Sequence, residues 1–336
     1  MTPILSVIVP THNPHRGRFV RMLEGLRTQT LPVIQWETII VDNASSPPLE
    51  SRDIPRLPAN MRIVPEPRLG LTAARRCGLR AARGEICVLV DDDNVLAPTY
   101  LADTICRFSD HPKLAAAGGP SRPEFEIPPA GWTREFHPLL ALRDLGPAPM
   151  LASLQRDLDD SHWLYPEAAP IGAGMALRRE PISTWLVGDR TCFGLTDRHG
   201  RELTSGGDND IVLSILRAGW QVGYFPELAL THLIPASRLD PNYLARLNRG
   251  IQKSWMQVLA LHDANPWPPI SRGSVPLRKM KAWLHHRAWE SSAAFIRWQG
   301  ACGHFEGRVA SHHTCESPIS IAHGSAGPPP RSRSQP

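Results

Sequence analysis

The chain has 336 residues, of which 42% are hydrophobic and 21% charged, and a formal net charge of +5. This composition can bury a core, so it excludes a wholly disordered chain, a collagen and a coiled coil. No apolar run reaches the length of about 18 residues that a transmembrane helix needs, and the N-terminus lacks the features of a signal peptide.

Charge and cysteine content narrow the partners and the compartment that we expect. The 37 basic residues are nearly balanced by 32 acidic ones and form no dense run, so nucleic acid is not expected as a partner. The six cysteines form no CxxC pair, which favours a reduced, cytoplasmic chain.

The first 118 residues alternate strand and helix patterns. Alternation of this kind indicates an α/β fold with a mostly parallel, Rossmann-like central sheet flanked by helices. Apolar runs predict strands at 5–9, 38–41, 61–64 and 86–90, and apolar residues at helical spacing predict helices at 19–26, 70–82 and 101–108. Thr72 is the expected N-cap of the helix at 70–82.

Three of the predicted strands end in polar residues. These ends are Thr11-His12-Asn13, Asp42-Asn43 and Asp91-Asp92-Asp93. Because ligands of such sheets bind outside the carboxyl ends of the strands, we expect the three ends to line one crevice.

The later residues are less regular. The Pro-rich stretch 119–170 predicts loops with short helices. Asp240-Pro241 is typical of a helix start, because Asp caps the helix and Pro fits its first position. Further on, we predict strands at 172–177, 221–225 and 228–232, and helices at 208–216 and 241–261.

We divide the chain at its composition changes. Residues 1–118 and 119–262 form the two halves of one domain, and a C-terminal extension follows. The extension comprises a Pro-rich linker at 263–276, a segment at 277–316 that begins with a basic amphipathic helix over 277–298, and a disordered tail at 317–336.

The run Asp91-Asp92-Asp93 directly follows an apolar strand. Adjacent carboxylates repel each other, and a hard divalent cation such as Mg²⁺ or Mn²⁺, shared with substrate phosphates, would keep them ionised. The alternative is a solvated turn.

Two earlier residues could meet a nucleotide in the same crevice. Asp42 can accept hydrogen bonds from a base or ribose, or it can close an Asx turn. Arg75 can face the crevice from its helix, a role for which Arg76 and Arg80 compete, and each of the three can also be a surface residue.

Three later residues are candidates for catalysis or metal binding. Asp208 either caps the helix that follows it or acts as a general base in the crevice. Asp210 favours the dipole of the same helix. His232 is either structural or a third ligand of the metal.

Two C-terminal features allow more than one interpretation. The helix at 277–298 either packs against the domain, which we favour, or rests on an anionic membrane surface near a lipid-linked acceptor. Zinc could use a nearby set of side chains, although their spacing matches no usual finger. They are Cys302, His304, His312, His313 and Cys315.

Taken together and in order, seven segments resemble glycosyltransferase family 2, over about residues 3–262. The resemblance implies a GT-A fold and an inverting transferase that moves a sugar from a nucleoside-diphosphate sugar to a hydroxyl acceptor. A UDP-sugar is favoured as donor, and the implied setting is polysaccharide, glycolipid or cell-envelope glycan synthesis. The segments are Leu5–Asn13, Thr38–Ser45, Leu69–Arg76, Gly84–Asp93, Gly172–Met175, Gly207–Asp210 and Thr231–Arg238.

The resemblance also implies roles for single residues. Asp208 matches the carboxylate that deprotonates the acceptor hydroxyl, while Asp93 and His232 match metal ligands. Gly174, Met175 and Asp210 are expected to contact the acceptor. Nucleotide binding is expected of Pro10, Thr11, Asn13, Asp42, Arg75, Asp91 and Asp92.

Two departures from the family pattern keep alternatives open. Gly207 stands where the family usually has Glu, and Arg76 stands where an Asn is frequent. The Gly207 departure leaves open a non-catalytic nucleotide-sugar-binding protein. Another metal-dependent α/β nucleotide enzyme is a separate alternative. The segment Pro10–Pro14 lacks both the Gly-rich basic loop of a nucleotidyltransferase and the DxDx motif of a phosphatase. We expect the chain to act in the cytoplasm, or peripherally at the inner face of the membrane.

Overall fold

The computed structural model describes residues 2–50, 60–187 and 206–309. The strands there are β1 (Leu5–Thr11), β2 (Trp36–Asp42), β3 (Met61–Pro65), β4 (Ile86–Leu89), β5 (Asn94–Leu96), β6 (Leu114–Gly118), β7 (Ser121–Phe125), β8 (Met150–Ala152), β9 (Gln155–Arg156), β10 (Trp163–Leu164), β11 (Ala176–Arg178), β12 (Gln221–Tyr224) and β13 (Leu230–Ile234). The α-helices are α1 (Arg16–Arg27), α2 (Leu71–Ala81), α3 (Tyr100–Asp110), α4 (Arg179–Val187), α5 (Gly207–Arg217), α6 (Pro241–Leu261), α7 (Val275–His285) and α8 (Ser292–Gly307).

Eight strands form the central sheet, in the order β3-β2-β1-β4-β11-β6-β12-β8. Strands β3, β2, β1 and β4 are parallel, as expected for the N-terminal half. Strand β11 runs antiparallel between β4 and β6, so the sheet is mixed beyond that point. The α/β class and the flanking helices are as predicted.

The sheet is covered on both faces, which is why its strands are continuously apolar in sequence. Along β1, Val7 and Val9 pack into one core with Met22 of α1. Ile8 points to the other side and packs into a second core with Leu79 of α2. Alternate residues of one strand thus supply two cores, as the period of a β-strand requires.

A second sheet explains how a late segment reaches the strand ends. Its order is β5-β13-β7, with β5 and β13 antiparallel. Strand β5 begins directly after Asp93 and pairs His232 of β13 with Asn94. The backbone NH of Leu233 donates to the carbonyl of Asp93 at 2.9 Å. His232 is therefore held beside the acidic run.

Two local expectations were wrong. Helix α2 begins at Leu71 with Gly70 as its N-cap, so Thr72 lies inside the first turn and does not cap it. The stretch 119–170 contains strands β7 to β10 as well as a 3-10 helix, Gly131–Leu140. The partner of β7 is β13, about a hundred residues later, so no local pattern could reveal the pairing. By contrast, the predicted Asp240 cap is present and accepts from the NH of Tyr243 at 2.9 Å.

The single helix predicted at 277–298 is wrong, because the structure has α7 and α8 on either side of a turn. Arg287 adopts a left-handed φ of +50° in this turn. Ser291 then caps the new helix, accepting from the NH of Ala294 at 3.2 Å. Amphipathic spacing continues across the turn, which is why the sequence alone suggested one helix.

Helix α8 packs closely against α6. A Cβ placed on Gly303 would lie only 2.1 Å from the carbonyl oxygen of Arg249, so the two backbones can approach only because that position is glycine. Glu306 of α8 pairs with Arg249 of α6 and with Lys279 of α7, joining the three helices.

Two sequence-based expectations for the C-terminal part lie largely outside the described residues. These are the disordered tail at 317–336 and, of the zinc candidates, His312, His313 and Cys315. Cys302 is buried in α8, and burial raises the pKa of its thiol. Within 2–50, 60–187 and 206–309, no group of three or more His, Cys, Asp or Glu could hold a metal ion. In those same ranges, every helix is too short or too polar to span a bilayer.

Candidate active site

A cleft of about 350 Å³ lies at the carboxyl ends of β1, β2 and β4. The predicted convergence of the three strand ends is confirmed, since residues from each of them line this cleft. Helices α1, α2 and α6 and the 3-10 helix Gly131–Leu140 supply the remaining walls. The predicted site residues in its lining are Pro10, Thr11, Asn13, Asp91, Asp92, Asp93 and His232.

Each carboxylate of the acidic run has its own partner. Arg75 faces Asp91 at 3.4 Å, and the hydroxyl of Thr11 donates to Asp92 at 2.5 Å. Arg238 donates from Nη2 to Oδ2 of Asp93 at 2.9 Å. Two arginines therefore supply part of the positive charge that the sequence argument had assigned to a metal alone.

The three carboxylates are not equivalent. Burial, together with the neighbouring charges of Asp93 and Asp91, raises the pKa of Asp92 to about 6, although its bond from Thr11 opposes the shift. For Arg238, burial disfavours the charged form, but the surrounding carboxylates outweigh it and raise the pKa of the guanidinium. Arg238 is thus a permanent cation at this edge of the cleft.

Asp93 and His232 are close enough to contact one divalent ion, as the predicted metal site requires. Nε2 of His232 lies 3.4 Å from Oδ1 of Asp93, a separation that two ligands of one ion, each about 2.1 Å away from it, can take. Nδ1 of His232 is buried without a hydrogen-bond partner among the described residues. Mg²⁺ and Mn²⁺ often take only one or two protein ligands and complete their shell with phosphate oxygens and water, so this pair fits either ion.

Arg238 was missed as a site residue by sequence reasoning. It lies in the 3-10 helix Ala236–Leu239 directly after β13, and its Nη1 is 3.3 Å from Nε2 of His232. The segment Thr231–Arg238 had been matched to the family as a whole, and only its histidine had been given a role. The available signal was a basic residue one short turn after that histidine.

Arg75 faces the acidic run, whereas the two competing arginines do not. Arg75 is only 5% exposed and points toward Asp91. Arg76 and Arg80 both donate to the carbonyl of Leu186 on α4, at 2.8 and 3.0 Å. Of the three candidates, Arg75 is therefore the one that the helix directs toward the cleft.

Asp208 lies in the first turn of α5, beside Gly172 and outside the lining of the cleft. Its Oδ2 accepts from the NH of Gly172 at 3.0 Å. A Cβ on Gly172 would lie 2.8 Å from Nη2 of Arg75 and 3.1 Å from Oδ2 of Asp208, so this glycine leaves room for both groups. Gly172 was given no role of its own from the sequence. The motif of small residues that begins at this position was the available indication of such a role.

The carboxylate of Asp42 closes a turn of the backbone, which was one of the two alternatives for this residue. Its two carboxylate oxygens accept from the backbone NH groups of Ser45 and Leu49, at 3.2 and 3.0 Å. The neighbouring Asn43 lines the cleft instead, and its side chain bonds the carbonyl of Arg68 and the NH of Gly70. A nucleobase contact by Asp42 stays a prediction.

The three residues expected to contact the acceptor are not in the cleft lining. The carbonyl of Gly174 accepts from the hydroxyl of Tyr100, and the Met175 side chain is fully buried in the second core. Both oxygens of Asp210 are engaged, by Nε1 of Trp185 and by Nε2 of His262, each at 2.7 Å. An acceptor could reach Asp210 only if this network opened.

The fold and this site define an α/β protein with a charged cleft at the carboxyl ends of its parallel strands, and comparison with known proteins identifies the family. The model of glycosyl transferase family 2 matches residues 6–186, which is more than half of the chain. The chain therefore belongs to glycosyl transferase family 2.

Two curated relatives are each 30% identical to the chain over 114 residues. One is "Uncharacterized protein y4gI" of Sinorhizobium fredii (strain NBRC 101917 / NGR234), matched over 33% of this chain and 12% of its own length. The other is "Putative glycosyltransferase EpsH" of Bacillus subtilis (strain 168), matched over 34% of this chain and 33% of its own length. The chain thus spans a third or less of each relative.

Solved structures support the fold. The mannosyltransferase PcManGT from Pyrobaculum calidifontis, in complex with GDP-Man and Mn²⁺, aligns with a TM-score of 0.52 at 19% identity, over 90% of this chain and 74% of that chain. GalNAc-T7 with UDP, GalNAc and Mn²⁺ aligns with a TM-score of 0.50 at 14% identity, over 81% of this chain and 59% of that chain. The expected GT-A fold is confirmed. At these identities the likeness concerns the fold alone.

Proposed function

We propose that the protein is an inverting glycosyltransferase, which moves a sugar from a nucleoside-diphosphate sugar to a hydroxyl group. One observation carries the proposal. The groups suited to a diphosphate adjoin Asp91, which pairs with Arg75. The space beside Gly172 is bordered both by Arg75 and by the carboxylate suited to an acceptor. The first set is Asp93, His232 and Arg238, and the carboxylate is Asp208.

The proposed reaction replaces one bond to the anomeric carbon of the donor sugar with another. The acceptor oxygen forms a bond to the anomeric carbon while the bond from that carbon to the diphosphate oxygen breaks. The proton of the acceptor hydroxyl goes to Asp208, and the electron pair of the broken bond stays with the diphosphate. A general base of this kind contributes roughly 10²–10⁴-fold to the rate.

The diphosphate gains negative charge as it leaves, and the cleft residues are arranged to hold it. Arg238 is a buried cation at this point, and Asp93 with His232 would hold Mg²⁺ or Mn²⁺. When bound, such an ion supplies further positive charge to the departing diphosphate. His12 and Asn13 also line the cleft, and Asn13 adopts a left-handed φ of +47° there.

The proposal also names a class of donor and a class of acceptor. We propose a UDP-sugar as donor, and a sugar or lipid-linked acceptor in polysaccharide, glycolipid or cell-envelope glycan synthesis. The two aligned structures contain GDP-Man and UDP, so both nucleotides belong in any donor screen. The four described cysteines are free thiols, in keeping with the cytoplasmic setting that we also propose.

The test begins with a donor. A thermal-shift screen of UDP- and GDP-sugars with Mn²⁺ identifies it, and acceptor trials then give a transfer assay. In that assay Asp208→Asn is expected to abolish transfer while donor binding persists, because only the proton acceptor is lost.

Asp103→Asn provides the matched control, since it makes the same change in the first turn of α3, away from the cleft. Near-normal turnover of Asp208→Asn would refute the assignment of the base. If the wild type bound a nucleotide sugar but neither transferred nor hydrolysed it, the catalytic proposal itself would fail.

A further inference from the structure

Helix α7 carries an apolar face that points away from the protein. Its packed side is marked by the buried residues Val275 and Ala282. At 100° per residue, Leu277, Met280 and Leu284 lie on the opposite side of the helix. Their side chains are 52%, 54% and 54% exposed. The helix is therefore apolar on both of its faces, and only one face is covered by the described residues.

Two tryptophans extend this surface beyond the helix. Trp283 and Trp289 have ring centroids 4.5 Å apart and are 38% and 54% exposed. Among the described residues, five of the 15 exposed large apolar side chains fall between 277 and 289. We call these five the α7 patch: Leu277, Met280, Trp283, Leu284 and Trp289. A contiguous patch of this kind marks an interaction surface, whereas scattered exposed residues do not.

The charge around the α7 patch is mainly basic, with Glu290 beside Trp289. Residues 272–287 contain five basic side chains and no acidic one. Lys279 and Arg287 are paired with Glu306 and Glu290. Arg278 and Lys281 form no ion pair within the described part of the chain, and the helical period places them along one side of the apolar face.

We propose that the α7 patch binds an anionic lipid surface. Leu277, Met280 and Leu284 would enter the boundary between headgroups and acyl chains, where Trp283 and Trp289 are also favoured. Arg278 and Lys281 would lie at the level of the lipid phosphates. This inference concerns where the protein works and does not depend on the transfer reaction proposed above.

Charge favours a lipid surface over a second copy of the chain. A two-fold dimer through the α7 patch would bring the same cations of both copies to one interface, and like charges there are unfavourable. An anionic bilayer instead complements the cations and takes up the aliphatic and indole side chains together. The split between α7 and α8 matters here, because α8 is packed on α6 and only α7 remains available.

The test uses the full chain and co-sedimentation with two kinds of vesicle. One is phosphatidylcholine alone, and the other contains about one third phosphatidylglycerol. We expect binding to the anionic vesicles that weakens as salt is raised, and much weaker binding to phosphatidylcholine. Lys281→Ala should weaken anionic binding about fivefold, and the double change Leu277→Glu with Leu284→Glu at least about tenfold.

The matched control is Val33→Glu with Ile34→Glu, which places the same charges on another exposed apolar pair, 58% and 64% exposed. Both double variants alter exposed residues, so thermal melting should show unchanged folding. Equal binding to the two vesicle types would overturn the proposal, as would an equal loss in the control. So would dimerisation that depends on Leu277 and Leu284 in the absence of vesicle binding.

Discussion

Two buried Asp–His pairs consist of the same residue types, but one is enclosed by the protein and the other lies at the cleft. Asp210 and His262 bond at 2.7 Å, and Trp185 occupies the other carboxylate oxygen, so every contact is made inside the protein. Asp93 and His232 are 3.4 Å apart at the cleft, and Nδ1 of His232 has no described partner. Only the second pair lies at the cleft and leaves one imidazole nitrogen without a described partner, which is the setting that the proposed metal site needs.

The largest effect that separates the two pairs should come from Asp93→Ala. Removing this carboxylate should weaken binding of UDP or GDP in Mn²⁺ by about 100-fold or more, since even supporting residues of metal sites are worth 10–100-fold. Binding without the metal should change little. Isothermal titration with and without Mn²⁺ measures both, and equal affinities of variant and wild type in both conditions would contradict the role.

The enclosed pair, Asp210 and His262, should affect stability and not nucleotide binding. Asp210→Ala leaves His262 and Trp185 without their shared partner, so we expect the free energy of unfolding to fall by about 3 kcal/mol. Nucleotide affinity of the folded variant should be unchanged, because Asp210 does not line the cleft. Urea unfolding and titration together check this.

Asp159→Ala serves as the control for that experiment, since Asp159 is exposed and lies in the turn between β9 and β10. Its expected change is within about 0.5 kcal/mol. A loss of nucleotide binding in Asp210→Ala without a loss of stability would assign Asp210 to the cleft after all.

The smallest of the three effects should come from Gly172→Ala. This change tests whether Asp208 acts in the reaction, as proposed for Asp93, or serves packing, as Asp210 does. The added Cβ would press on Arg75 and Asp208 but on neither Asp210 nor His262. We expect kcat to fall about tenfold, as a small misplacement of a reacting group does, while stability changes by less than about 1 kcal/mol. A variant that loses stability but keeps kcat would place Gly172 among the packing residues only.

The sequence predicted the strand ends well, because continuous apolar strands and the polar residues after them follow from local patterns. The family motif also singled out Arg75 among three arginines, and the structure turns Arg75 toward Asp91, whereas helix periodicity alone does not separate the three. The order of the motifs was enough to predict the GT-A fold.

What could not be predicted depends on contacts between distant segments. The bond between Asp210 and His262 joins residues 52 positions apart, and the contact of Arg238 with Asp93 joins residues 145 apart. Nothing in the spacing of Asp208 and Asp210 reveals that one lies beside Gly172 and the other is enclosed by Trp185 and His262. The turn at Arg287 was missed because the apolar spacing continues through it.

The close contact between α6 and α8 sets the smallest length of chain that can form a complete cleft. Tyr243 and Leu247 of α6 line the cleft, and Leu247 shares a core with Ile296 of α8. A fragment ending at residue 262 would retain every residue given a catalytic or ligand-binding role and yet leave that core open to water. The minimal functional unit is therefore longer than the span of the family motifs, and residues 292–307 belong to it.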